Sequence, residues 1–275
     1  MIVETAPAKI NLALHVRARR DDGYHEIETL FAFLRDGDEL RLAPGPASFA
    51  IGGPFGAILS AEGDNLVTRA AAAFARAFDV SNEGAFTLDK RLPVASGIGG
   101  GSADAAAALR ALARLHGIAI GDPRLFACAD ALGSDVPACL YGQSALGRGR
   151  GERLEPLDGL TGTPVLLVNP GVAVSTGAVF GAWDRVDRGP IGEGDMLDRA
   201  LLGRNDLEAP ARSIAPLIGE ALGLLHHTAN SLLVRMSGSG ATCFALYESD
   251  ADRAAAAAVI GEARPGWWRL ESALA

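Results

Sequence analysis

PVASGIGGGSAD (Pro93–Asp104) joins a short alternating segment, Ala85 to Lys90, to an alanine-rich run, SADAAAALRALARLH (Ser102 to His116). The first segment alternates as a strand does; the second has strong helical propensity, with Gly117 as its stop. Between them, Gly99, Gly100 and Gly101 remove every Cβ, so backbone N–H groups can approach an anion closely. The helix that follows adds unpaired N–H groups and the positive end of its dipole. Strand, glycine loop and helix together make a phosphate cradle.

Three readings compete for such a loop. A Walker-type loop needs G-x-x-x-x-G-K-[ST], and no lysine stands in this one. A dinucleotide fingerprint needs a third glycine where Ser102 stands, and a strand after the helix where Asp122-Pro123 instead opens another helix. A flexible or tightly packed turn without a ligand is the third.

Outward from the loop, Ile2 to Ala6, Ile10 to Arg17, Glu26 to Phe33 and Glu39 to Leu42 read as strands. Pro44 to Gly56 reads as loop or weak edge strand, and Asp64 as the cap of a helix through about Phe78. The helix opened at Asp122-Pro123 runs to about Leu132, and Gly133 to Leu140 follows as a loop entering an apolar segment. The glycine-rich stretch 147–162 is the candidate boundary between two domains, 1–155 and 156–275. Beyond it come a strand (Val165 to Val168), three helices (Met196 to Leu202, Asp206 to Ala211, Ala215 to Leu225), two strands (Ser231 to Ser237, Thr242 to Tyr247) and a closing helix, Ala251 to Ala263. Strands and helices mix without a regular βαβ beat, so the class is α+β.

Composition narrows the function. At 275 residues, 49% hydrophobic and 21% charged, the chain can bury a sizeable core. A net charge of −8 argues against general binding to nucleic acid or to anionic membrane, so an anionic ligand must be met by local cations or backbone N–H groups. No run approaches the ~18 apolar residues of a membrane span. MIVETAPAKINLALHV, the N-terminus, lacks the basic and apolar regions of a signal peptide, so a cytoplasmic protein is expected. Cys128, Cys139 and Cys243 form no CxxC pair and read as buried free thiols. His15, His116, His226 and His227 show no metal-ligand spacing and read as structural or surface residues. Of 25 basic residues only Lys9 and Lys90 are lysines, which makes a lysine within a motif more suggestive.

PVASGIGGGSADAA resembles the phosphate loop of the GHMP kinases, small-molecule kinases named for galactose, homoserine, mevalonate and phosphomevalonate. APAKINLAL near the N-terminus resembles their first motif, and MSGSGATCFAL (Met236 to Leu246) their third, so the resemblance spans nearly the whole chain. It implies a two-domain α+β fold, N-terminal ribosomal-protein-S5-domain-2-like and C-terminal ferredoxin-like. APAKINL (Ala6 to Leu12), DGYHEIETLF (Asp22 to Phe31), GSDVP (Gly133 to Pro137) and PGVAVSTGAVF (Pro170 to Phe180) point to the branch whose acceptor is methylerythritol linked to cytidine diphosphate.

The resemblance implies that Asp135 is the general base for the acceptor hydroxyl, with Lys9 holding it ionised and meeting the transferring phosphoryl group. Pro93, Val94, Ala95, Ser96, Gly97, Ile98, Gly99, Gly100, Gly101, Ser102 and Ala103 would bind ATP, with Asn65 towards adenine or at a helix start. Asn11, Tyr24, His25, Thr176 and Phe180 would bind the acceptor: Tyr24 and Phe180 stacking on cytosine, His25 reading its polar edge, Asn11 and Thr176 touching the erythritol. Mg²⁺ would bridge the phosphates, held by them and by water with no protein metal ligand assigned. Ala103 stands where the family commonly has serine, so no hydroxyl is offered there; Ser96 and Ile98 also depart from the usual residues. A monomer or weak homodimer is expected. Another GHMP kinase would keep the loop without needing Tyr24, His25 and Phe180, and a sensor without turnover would have no use for Asp135.

Overall fold

The computed structural model describes residues 1–59, 65–81 and 83–275. Its contacts cluster into two compact units. The first comprises Met1–Lys9, Asp36–Val94 and Gly99–Gly142; the second comprises Ile10–Arg35, Ala95–Ile98 and Gln143–Ala275. The expected division at 155/156 does not follow this clustering, because two long strands, β1 (Ile2–Arg19) and β2 (His25–Ala43), each give residues to both units. Residues 147–162, the candidate boundary, carry part of the paired strands β5 (Ala145–Gly149) and β6 (Arg153–Pro156).

In the first unit β3 (Ser48–Gly52) runs parallel to β4 (Ala85–Asp89), and β4 pairs antiparallel with Glu39–Ala43 of β2. Helix α1 (Leu66–Phe78) is capped by Asn65, whose side chain accepts the Val67 N–H at 2.8 Å, a cap of the kind that stabilises a helix by ~1 kcal/mol. Asp64, expected to cap it, lies outside the described residues. Helix α2 (Gly100–His116) buries Ala103 to Leu109 without a break, and its small side chains let α1 and α4 (Val136–Tyr141) pack close to it. Asp122 caps α3 (Pro123–Leu132), with Pro123 in the first turn where its missing N–H costs nothing.

The second unit carries a four-stranded antiparallel sheet in the order β10 (Trp268–Ala273), β7 (Pro164–Asn169), β9 (Cys243–Tyr247), β8 (Ser231–Met236), the ferredoxin-like order. Alternate residues of one face, Leu166 and Val168 on β7 and Cys243, Ala245 and Tyr247 on β9, meet Ile218, Leu222 and Leu225 of α8 (Leu217–His226) and Ala256 and Ile260 of α9 (Asp250–Ala263). Period two on the strands and period near 3.6 on the helices thus build this core. Shorter helices α5 (Thr176–Gly181), α6 (Met196–Leu202) and α7 (Glu208–Ile214) precede α8. No helix among the described residues is long and apolar enough to cross a membrane.

Candidate active site

In the first unit β1 delivers Lys9 and the start of α4 delivers Asp135. Lys9 is buried, and its Nζ lies 2.9 Å from Asp135 Oδ2. Asp135 is the N-cap residue of α4, but its side chain caps nothing, and about a third of it is exposed. The carboxylate therefore answers to Lys9 while keeping a solvent-facing side. A Cβ placed on Gly99 would come within 3.0 Å of Lys9 Cε and 3.3 Å of Lys9 Cβ. The glycine loop thus lies directly on the lysine stem. Arg110 of α2 fixes the carriers of the pair, donating to Glu4 Oε2 at 3.1 Å, to the Thr5 carbonyl at 2.6 Å and to the Cys139 carbonyl at 2.9 Å.

Gly99 is the N-cap of α2, with φ +68° and no side chain to satisfy the first N–H groups of the helix. Those donors are the ones an anion can take. Lys90, at the end of β4, is buried between Asp38 Oδ2 at 2.5 Å and Asp104 Oδ2 at 2.6 Å.

In the second unit the third glycine motif grips loop residues 96 and 97. Ser237 Oγ donates to the Gly97 carbonyl at 2.9 Å, and the Thr242 N–H donates to the Ser96 carbonyl at 3.1 Å. Gly97 has φ +78°, and a Cβ there would fall 2.6 Å from the carbonyl oxygens of both Gly240 and Ser237. Ala95 is held at φ +51°, a left-handed conformation costing a non-glycine residue ~1 kcal/mol. Asn11 is buried, donating from Nδ2 to Thr29 Oγ1 at 2.7 Å, and Thr29 in turn donates to the Ala13 carbonyl. Thr176 Oγ1 lies 2.9 Å from Ser239 Oγ.

His25 and Phe180 stand ring against ring, centroids 4.9 Å apart, and Trp183 meets the His25 ring edge-on at 5.8 Å. Burial, then the nearby Arg19, holds the His25 imidazole below its ordinary pKa, leaving it neutral with one donor and one acceptor nitrogen. Tyr24, half-exposed, lies under the Arg150 guanidinium at 4.9 Å and makes no ring–ring contact among the described residues. Asn65 sits at the start of α1 as its cap.

All three cysteines are free and buried, as expected, and burial pushes the Cys139 thiol up to about 12. His15 is structural: its Nε2 accepts the Arg204 N–H at 3.2 Å, so Nδ1 donates to the Gly189 carbonyl at 3.1 Å. No group of three His, Cys, Asp or Glu among the described residues is arranged to hold a metal. Asp38, Arg110 and Trp183 stand outside the residues singled out from sequence, and Ser237 was covered only as part of the third motif; for Lys90 the signal was the scarcity of lysine.

Two family descriptions match the chain: "GHMP kinases N terminal domain" over residues 65–143 and "GHMP kinases C terminal" over residues 188–264. A Rhizorhabdus wittichii protein named 4-diphosphocytidyl-2-C-methyl-D-erythritol kinase is 58% identical over 275 residues, 98% of this chain and 94% of that protein. A Novosphingobium aromaticivorans protein of the same name is 52% identical, over 98% of this chain and 92% of its own length. A crystal structure of 4-(cytidine 5'-diphospho)-2C-methyl-D-erythritol kinase superposes with a TM-score of 0.81 at 37% identity, covering 99% of both chains. Homoserine kinase from Cytophaga hutchinsonii, at 18% identity and TM-score 0.67, shares the fold.

Proposed function

The chain belongs to the GHMP kinases, and within them to the 4-diphosphocytidyl-2-C-methyl-D-erythritol kinases; on that premise we propose that it transfers the γ-phosphoryl group of ATP to the 2-hydroxyl of 4-diphosphocytidyl-2-C-methyl-D-erythritol. The products are the 2-phosphate and ADP, a step of the non-mevalonate route to isoprenoid precursors. The observation that carries this reading is the Lys9–Asp135 pair, 2.9 Å across, packed against the glycine at the N-terminus of α2.

Asp135 Oδ accepts the hydroxyl proton as the oxygen attacks phosphorus in line, and the Asp135 carboxyl later returns it to solvent. Lys9 keeps that carboxylate oriented and offsets the negative charge that spreads over the transferring group. The N–H groups of Gly100, Gly101 and Ser102, with the Ser102 hydroxyl, take the phosphates; residues 93–98 and Ala103 complete the nucleotide side, and Asn65 borders the adenine. Mg²⁺ would be held mainly by the phosphates and water, since the nearby carboxylates are in ion pairs, Asp38 and Asp104 with Lys90 and Asp135 with Lys9. Its chemistry there would be to neutralise phosphate charge.

Phe180 and Tyr24 offer aromatic faces to the cytosine while His25 reads its polar edge, and Asn11 and Thr176 border the erythritol. A neutral imidazole offers one donor and one acceptor to the base edge. In sequence terms the division at 155/156 separates the two family matches. We place the enzyme in the cytoplasm as a monomer or weak homodimer.

ADP release measured with a panel of acceptors tests the assignment. The cytidine compound should turn over, whereas 2-C-methyl-D-erythritol 4-phosphate should support no useful rate, because binding energy at the remote base is spent on orienting the hydroxyl. Equal rates with the truncated alcohol, homoserine or mevalonate would overturn the acceptor assignment. Phe180→Ala should weaken acceptor binding by ~1–3 kcal/mol, the worth of a base–aromatic stack, with ATP affinity unchanged. Loss of both affinities together, with a lowered Tm, would mark Phe180 as packing alone.

A further inference from the structure

Buried lysines are rare, and one held by two carboxylates is rarer. Lys90 Nζ is 2.5 Å from Asp38 and 2.6 Å from Asp104, and all three side chains are almost wholly inaccessible. Asp38, on β2, also accepts the N–H groups of Arg91 at 2.6 Å and Leu92 at 2.8 Å through Oδ1. Those residues lead into the glycine loop. Asp104 belongs to the second turn of α2, which leaves it. Above the ammonium lies the loop itself: a Cβ on Gly100 would stand 3.0 Å from Lys90 Nζ.

We propose that Lys90, Asp38 and Asp104 are positioning residues for ATP, a buried cluster that ties the chain entering the glycine loop to the helix leaving it and so fixes the N–H groups that take the phosphates. This rests on reading the loop as the ATP site. Removal of one partner from a buried ionic cluster leaves an uncompensated charge, so the three groups hold one another in place.

Its charge follows from its composition. One ammonium with two ionised carboxylates leaves a net negative charge beneath a site for polyphosphate. Asp104 Oδ1 is buried and has no hydrogen-bond partner among the described residues, an arrangement that suits a neutral acid better than an anion. Burial pushes the Asp104 carboxyl up to about 7, with Lys90 opposing and Asp38 adding to the rise. Lys90 is held above the ordinary lysine range by its two carboxylates despite its burial. From α4 the titratable neighbour is the Cys139 thiol, which also feels Asp135, Lys9 and Arg110; α1 buries Val67, Ala70, Ala71 and Phe74, and α3 buries Leu125, Cys128, Ala129 and Leu132. The cluster therefore carries a proton below neutral pH and becomes net negative above it, and ATP should bind less tightly on the alkaline side.

The test is calorimetric Kd for ATP at pH 6 and pH 8.5 in wild type, Asp104→Asn and Asp104→Ala, with Tm for each. Asn keeps the shape and cannot ionise. Asp104→Asn should match wild type at pH 6 and bind ATP about 3- to 10-fold more tightly at pH 8.5, the scale of one poorly screened charge near the phosphates. Titrations common to both proteins, including that of ATP, cancel in the ratio. Asp104→Ala, which cuts the tie to α2, should weaken ATP at least about tenfold at both pH values. A wild-type to Asn ratio that is the same at both pH values, or an Ala variant that loses Tm but binds ATP normally, overturns the proposal while leaving the kinase reading intact. Failure of the wild type to bind ATP at all overturns both.

Discussion

Asp135→Asn should lower turnover by roughly 10²- to 10⁴-fold while leaving the affinity for ATP near its original value. Asparagine reproduces the outline of aspartate and can still meet Lys9 Nζ, which lies 2.9 Å from Asp135 Oδ2, through its amide oxygen. It cannot take a proton from an alcohol at neutral pH. The side chain caps no helix, so the substitution breaks no backbone tie. Loss of turnover with an unchanged circular dichroism spectrum and an unchanged Kd for ATP would therefore report chemistry rather than folding. Turnover within a few fold of wild type would remove Asp135 from the role of base, and Lys9 would then be left pairing with a bystander.

Gly97→Ala should reduce ATP affinity at least tenfold to a hundredfold, a larger effect than a single methyl group ordinarily has. Two costs combine. With φ at +78° an L-residue there is strained by ~1–2 kcal/mol, and the new Cβ would fall 2.6 Å from two backbone oxygens, those of Ser237 and Gly240. Neither oxygen can rotate aside as a side chain would, so the loop itself must shift. Gly171 separates the two costs, because its φ is +75° and a Cβ there meets nothing within 4 Å. Gly171→Ala should lose only the conformational part in thermal melts and bind ATP normally. Calorimetry showing equal ATP affinity for wild type and Gly97→Ala would mean that the grip of the third glycine motif on the loop has no bearing on the nucleotide.

Local signals were easiest to read where a feature depends on neighbours in the chain. Gly99 to Ser102 followed by alanine, Asp122-Pro123 before α3 and Gly117 after α2 each declare themselves within a few residues. Distant partners hid the rest. Glu26 to Phe33 and Glu39 to Leu42 read as two separate strands, yet β2 runs straight through both; a Cβ on Gly37 would lie 2.1 Å from the Ala6 carbonyl, so this glycine marks a close backbone approach. Residues 133–140 read as a loop because of Gly133 and Pro137, but Pro137 falls in the first turn of α4, where proline is tolerated. Helix α5 is six residues long, too short for a period to show. Strand β10 is stabilised by its register with β7, Trp268 opposite Asn169 through Ala273 opposite Pro164, which no local pattern contains. Lys9 and Asp135 were legible through a family likeness and not through their neighbours, while the partners of Lys90 lie 52 and 14 positions away.

The threading of the chain through its two compact units also sets a timetable for synthesis. The first unit closes at Gly142, whereas Ile10–Arg35 of the second must wait for the bulk of that unit, which begins at Gln143. At roughly 5–20 residues per second that interval lasts about 5–20 s, during which apolar strand residues such as Leu14, Val16 and Ile27 have left the ribosome without the sheet and helices that later bury them. Ribosome-bound chains stalled after residue 142 plus a tunnel length should be cut by protease within 10–35 and resist it within α2; protection of both segments at that stage would show that the early strands find shelter elsewhere. No single cut in the chain separates the two units, so a nascent molecule of this enzyme is committed to holding an unfinished half until its last strand arrives.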